Sequence, residues 1–190
     1  MPKPDAHSTL ILVDVQRDFL PGGALAVPDG DAVVPVLNRY IAAFAAEALP
    51  IIATRDWHPA DHRSFAAQGG PWPPHCVAGS TGAGFADALR LPPETIIVSK
   101  AGDEDAYSGF EGTNLTTTLK ELEARALYIG GLATDYCVLN TVLDALKLGY
   151  SVHLLTDAIR AVDVGPGDGE RAIARMQAAG AIPTALADLA

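Results

Sequence analysis

Four places in this chain carry residue types and spacings suited to chemistry. Asp14 closes an apolar run and opens Asp14-Val15-Gln16-Arg17-Asp18-Phe19. Arg55-Asp56-Trp57-His58 closes a second run, and His62 and His75 follow it. Lys100 closes a third. A fourth runs into Gly130-Gly131-Leu132-Ala133-Thr134-Asp135-Tyr136-Cys137.

Cys137 is the nucleophile candidate. It follows a Gly-Gly pair read as a turn, and it falls in the first turn of a helix expected to end near Leu148. A helix N-terminus favours the thiolate, which is the reactive form. A free Cys also packs as a small hydrophobe, so position alone does not decide its role. Asp14 beside a thiol would be a general base, and Lys100 at the end of a buried strand needs a partner. A buried Asp and Lys compensate each other and set the proton inventory for a thiol.

Asp56 and His58 project to the same side only in extended backbone, which suits a strand end. With His75, and with His62 nearby, they form an Asp/His set that fits a divalent transition metal. Adjacent residues seldom both face one ion, so Cys76 reads as structural. Phe19 and Trp72 are candidates for an aromatic pocket wall, whereas Trp57 reads as cover over the core. Asp103-Glu104-Asp105 reads as a solvated acidic turn.

These residues need a scaffold that brings strand ends together. Apolar runs at 9–13, 50–54, 95–99, 126–130 and 151–155, with a weaker one at 181–184, read as strands buried on both faces. Helical spacing covers 31–47, 114–124, 135–148 and 168–179, with Asn114 as N-cap and Gly149 and Gly180 just past helix ends. This alternation predicts a three-layer α/β/α fold with a mostly parallel sheet of roughly six strands. Such sheets bind ligands beyond the carboxyl ends of their strands. The one break is 56–90, rich in Pro, Gly, His and Trp, which reads as a metal and substrate loop within a single domain spanning 1–190.

Composition sets the outer limits. The 190 residues are 49% hydrophobic with a formal net charge of −10, which excludes a disordered acidic tail. That charge repels phosphates, so neither nucleic acid nor an anionic membrane is an expected partner. Two cysteines exclude a disulfide scaffold. No stretch approaches the roughly 20 apolar residues of a membrane span. Met1-Pro2-Lys3-Pro4-Asp5-Ala6-His7 has no apolar signal core. A cytoplasmic location with reduced thiols is the expectation, and a Cys76–Cys137 disulfide is disfavoured there.

The motifs together resemble the nicotinamidase branch of the isochorismatase-like cysteine hydrolase family. The matching segments are Leu12 to Phe19, Pro21-Gly22-Gly23-Ala24-Leu25, Thr54 to Pro59, and Gly69-Gly70-Pro71-Trp72-Pro73-Pro74-His75-Cys76. Lys100, Tyr107-Ser108-Gly109-Phe110 and Gly131 to Val138 complete them, in the family's order and over nearly the whole chain. The resemblance implies a catalytic triad of Asp14, Lys100 and Cys137. It implies metal ligands Asp56, His58 and His75, with His62 a further ligand or a residue behind them. It also implies a cis peptide at Leu132–Ala133, an oxyanion hole from the N–H groups of Ala133 and Cys137, and a pocket of Phe19, Trp72, Leu132 and Tyr107. The metal would be Zn, with Fe or Mn as alternatives.

The implied reaction converts nicotinamide to nicotinate and ammonia through a thioester, in NAD salvage, with pyrazinamide as a second substrate. A homo-oligomer is also implied. Two competing readings remain at this level. One is a related amidase acting on a carbamoyl or ureido group, whose members generally lack the metal triplet. The other is a non-catalytic metal- or nucleotide-binding α/β domain, for which no Walker or G-x-G-x-x-G pattern is present.

Overall fold

The computed structural model describes residues 3–102 and 105–189; of the acidic turn, Asp103 and Glu104 lie outside the described residues. Six strands form one sheet: β1 (Ser8–Val13), β2 (Ile51–Asp56), β3 (Ile96–Lys100), β4 (Ala126–Leu132), β5 (Ser151–Arg160) and β6 (Ile182–Thr184). Their order is β3-β2-β1-β4-β5-β6, and every pairing is parallel. The order reverses between β1 and β4, which opens a crevice at their carboxyl ends. Asp14 leaves β1 there and Cys137 follows β4.

Burial on both faces explains the near-continuous apolar runs. Along β1, Leu10 and Leu12 pack on one side of the sheet, and Ile11 and Val13 on the other. The first side is covered by α1 (Val33–Ala46), which buries Val34, Leu37, Ile41 and Phe44 at helical spacing. The second is covered by α2 (Leu115–Glu121), α3 (Leu139–Lys147) and α4 (Asp168–Ala178), through residues such as Leu119, Val142 and Met176. At about 25 cal/mol per Å2 of apolar surface, each such buried side chain contributes roughly 1.5–3 kcal/mol against chain entropy.

Three local expectations need correction. Asn114 occupies the position before α2, but its side chain makes no capping bond. Instead the N–H of Leu115 donates to Thr113 Oγ1 at 3.2 Å. Gly130-Gly131 is not a turn, because both residues lie inside β4. At Gly131, φ is +126° and a Cβ would stand 2.1 Å from the Val13 carbonyl oxygen, so the close approach of β4 to β1 requires glycine. Finally, β5 continues to Arg160, five residues past the predicted end. Its register against β4 shifts between Ile129 and Gly131, which hides the continuation from a periodicity reading. Gly149 and Gly180 do follow helix ends, with φ of +90° and +112°. No helix among the described residues is long and apolar enough to cross a membrane.

Candidate active site

β1 delivers Asp14 to the crevice in the left-handed region, with φ +49°. Its N–H donates to the Thr54 carbonyl on β2 at 3.2 Å, and Thr54 Oγ1 donates to Asp14 Oδ1 at 2.6 Å. β2 ends in Asp56, which pairs in register with Lys100 at the end of β3. Lys100 Nζ reaches back under the sheet end. It lies 3.0 Å from Asp14 Oδ2, 2.5 Å from Asp56 Oδ1 and 3.5 Å from Cys137 Sγ. All four side chains are buried.

Cys137 sits in a single π turn, Thr134–Val138, and α3 begins only after it. The N–H groups of Tyr136 and Val138 both donate to the Ala133 carbonyl, at 3.1 Å each. The wider turn folds the chain back at Ala133, immediately after the Leu132–Ala133 peptide, which is cis. Single π turns of this kind recur at functional sites.

Burial dominates the electrostatics. It pushes the Cys137 thiol well above its ordinary value; Lys100 opposes this, while Asp14 and Asp56 reinforce it. The expected lowering by a helix N-terminus is therefore overturned, and the thiol rests protonated. Burial also raises Asp14, against the pull of Lys100. For Lys100, burial disfavours the charge, but Asp14 and then Asp56 outweigh it and hold the amine firmly protonated. For Asp56, burial acts upward, yet Lys100 and His58 together hold its carboxyl well below the usual range. The resting arrangement is thus one fixed cation, one fixed anion and a carboxylate of raised affinity beside a thiol. That carboxylate is suited to take the thiol's proton.

Ligand atoms of Asp56, His58 and His75 lie within 4.8 Å of one another. His58 Nδ1 donates to the Ala101 carbonyl and His75 Nδ1 to the Pro73 carbonyl, at 2.8 Å each. Carbonyls only accept, so the neutral form of each ring keeps its lone pair on Nε2. His58 Nε2 is buried without a hydrogen-bond partner and faces Asp56 Oδ2 at 3.6 Å. Burial also holds His75 below its ordinary pKa, which favours the neutral, ligating ring. Two acceptors facing each other in a buried site, each ring oriented by a carbonyl, are what a divalent metal requires. His62 stacks 4.2 Å from His58 but is not in the ligand triplet, and its Nδ1 pairs with Ser64 Oγ at 2.7 Å.

A pocket opens beside Cys137. It is lined by Phe19, Trp72, His75, Tyr107, Ala133 and Cys137, and also by Leu25, Val27, Asp56, Tyr136 and Val162. Leu132 is not among these. It is fully buried in the core behind them. Trp72 Nε1 donates to Tyr107 Oη at 3.1 Å, and Tyr136 packs against both rings. Trp57 lies elsewhere, packed on the core with the Arg55 guanidinium 3.7 Å over its ring. Cys76 is buried with its thiol raised by burial, and neither cysteine is in a disulfide.

Tyr136, Val162, Leu25, Val27 and Thr54 were not expected at the site. Tyr136 was legible from its place beside Cys137. Val162 was not, since it follows the unforeseen end of β5.

A thiol, a carboxylate and an amine thus meet at one pocket of a doubly wound sheet, and the comparisons show the family. The isochorismatase domain family matches residues 8–188, and the chain belongs to that family. It is 43% identical over 202 positions to the nicotinamidase of Escherichia coli (strain K12), covering 94% of this chain and 95% of the relative. Pyrazinamidase of Pyrococcus horikoshii, solved in complex with zinc, superposes with a TM-score of 0.91 at 48% identity, over 95% of this chain and 99% of that one. An L. infantum structure in complex with nicotinate gives a TM-score of 0.91 at 34% identity, over 100% and 98% of the two chains.

Proposed function

We propose that this chain is a metal-dependent cysteine amidohydrolase that converts nicotinamide to nicotinate and ammonia. The observation that carries the reading is the sharing of Lys100 between Asp14 and Asp56, which joins a base–thiol pair to the Asp56, His58 and His75 triplet at one pocket. The names of the relatives support nicotinamide and pyrazinamide as substrates.

The substrate is a neutral aromatic amide, so a chain charge of −10 does not oppose its entry. Its ring sits between Phe19 and Trp72, with the carboxamide toward Cys137. Asp14 takes the Cys137 proton, and Sγ attacks the carboxamide carbon. Lys100 stabilises the charge that arrives on sulfur. The N–H groups of Ala133 and Cys137 stabilise the oxyanion, and one such donor is worth about 3 kcal/mol. Asp14 returns its proton to the departing ammonia, leaving a thioester on Cys137. Asp14 then activates the water that hydrolyses it. Asp56, His58 and His75 would hold a divalent metal, with zinc as the favoured ion, and it would supply a Lewis acid at the pocket. The setting is cytoplasmic NAD salvage, in which both thiols stay reduced.

The test is ammonia release from nicotinamide, pyrazinamide and an N-carbamoyl amino acid, each with and without chelator. Chelator-sensitive turnover of the two aromatic amides is the expected result. Turnover of the carbamoyl compound alone would move the chain to the related amidases.

A further inference from the structure

Thr54 has no role in the scheme above, yet it makes the shortest hydrogen bond to Asp14. It sits on β2 in a run that reads as plain strand, and it is fully buried. Its methyl faces Gly109, where an added Cβ would stand 3.1 Å from Cγ2. A carboxylate cannot donate, so Thr54 Oγ1 donates to Asp14 Oδ1, at 2.6 Å. Asp14 Oδ2 is buried with no hydrogen-bond partner. Lys100 Nζ lies 3.0 Å from it as an ion pair, outside hydrogen-bond alignment. Ligand atoms of Asp14 and Cys137 lie within 4.8 Å of each other.

We propose that Thr54 is a positioning residue that reserves Oδ2 of Asp14 as the oxygen receiving the Cys137 proton. This rests on the amidohydrolase reading. The S–H bond breaks, an O–H bond forms at Oδ2, and the negative charge passes from Asp14 to Sγ, 3.5 Å from Lys100 Nζ. Oδ1 accepts from Thr54 before and after the transfer. The carboxyl group therefore neither turns nor exchanges its proton between oxygens, and it stays aimed at the leaving amine for the return step.

The test compares Thr54→Val, which keeps the shape without the hydroxyl, with Thr54→Ser, which keeps the hydroxyl. Thr54→Ala is a second hydroxyl-free variant in case Val is poorly tolerated. General-base positioning is worth about 100-fold at the low end. The hydroxyl-free variants are expected to lose roughly 10- to 100-fold in kcat. Their KM for nicotinamide and bound zinc should stay within twofold of the wild type, on the order of measurement scatter. Thr54→Ser should keep most of the wild-type kcat. Wild-type kcat in Thr54→Val, or an equal loss in Thr54→Ser, would overturn the proposal. A wild-type protein without nicotinamide turnover would instead overturn the amidohydrolase reading on which it rests.

Discussion

Lys100 Nζ stands 2.5 Å from Asp56 Oδ1, and the same amine contacts Asp14, so one buried cation serves both halves of the site. Two carboxylates this deep in the sheet cannot both ionise without it. Removing the charge strands them. Lys100→Met should cost about 3–5 kcal/mol of folding stability, as for other broken buried pairs. It should also abolish turnover. Urea unfolding and steady-state assays check the two effects separately.

The triplet should hold the metal through Asp56. Asp56→Ala and His58→Ala should each copurify with little or no zinc, read by elemental analysis. A chelator-treated wild-type protein should recover activity on adding zinc, and the two variants should not. Full metal retention in Asp56→Ala would place the ion elsewhere.

His153 gives the fold a pH dependence away from the site. Its ring stacks on Tyr128 with centroids 4.3 Å apart and planes 5° from parallel. The Thr184 hydroxyl donates to the Ile182 carbonyl, so Thr184 Oγ1 accepts from His153 Nδ1 at 3.0 Å. Burial holds the His153 pKa below its ordinary value. The unfolded chain therefore binds this proton first as pH falls, and stability declines below about pH 6.5. His153→Gln should flatten that slope below about pH 6.5, measured by denaturant unfolding across the range.

Cys76 should be dispensable for chemistry. Its thiol is raised by burial, and the hydrogen bonds it makes are backbone ones: its N–H donates to Asp18 Oδ2 at 2.7 Å and its carbonyl accepts from the His58 N–H at 3.0 Å. Cys76→Ser keeps that N–H. Turnover within about twofold of wild type is expected, since no transition-state contact is lost. A dead enzyme would show that the two cysteines had been ranked wrongly.

What the sequence revealed follows from the physics of a parallel sheet. Strands buried on both faces are continuous apolar runs, so Leu10 to Val13 and Ile51 to Ala53 announced themselves. A charged residue ending such a run has no place but the crevice, which is why Asp14, Asp56 and Lys100 were visible. Their partners were harder. Thr54 looks like an ordinary strand threonine until β1–β2 register sets it beside Asp14. Val162 depends on the irregular continuation of β5. The π turn at Cys137 leaves the sequence pattern of a helix start, and only the three-dimensional setting shows that burial, not the helix end, governs the thiol. His62 was grouped with the ligands by proximity in sequence; its ring lies beside His58, and its Nδ1 pairs with Ser64 Oγ.

The central claim is that Cys137 is the nucleophile of an amide hydrolysis. Ammonia release from nicotinamide by zinc-loaded wild type and by Cys137→Ala, with both shown folded by near-UV circular dichroism, tests it most directly. The account predicts turnover by the wild type and none by the variant. Undiminished ammonia release from Cys137→Ala would contradict it.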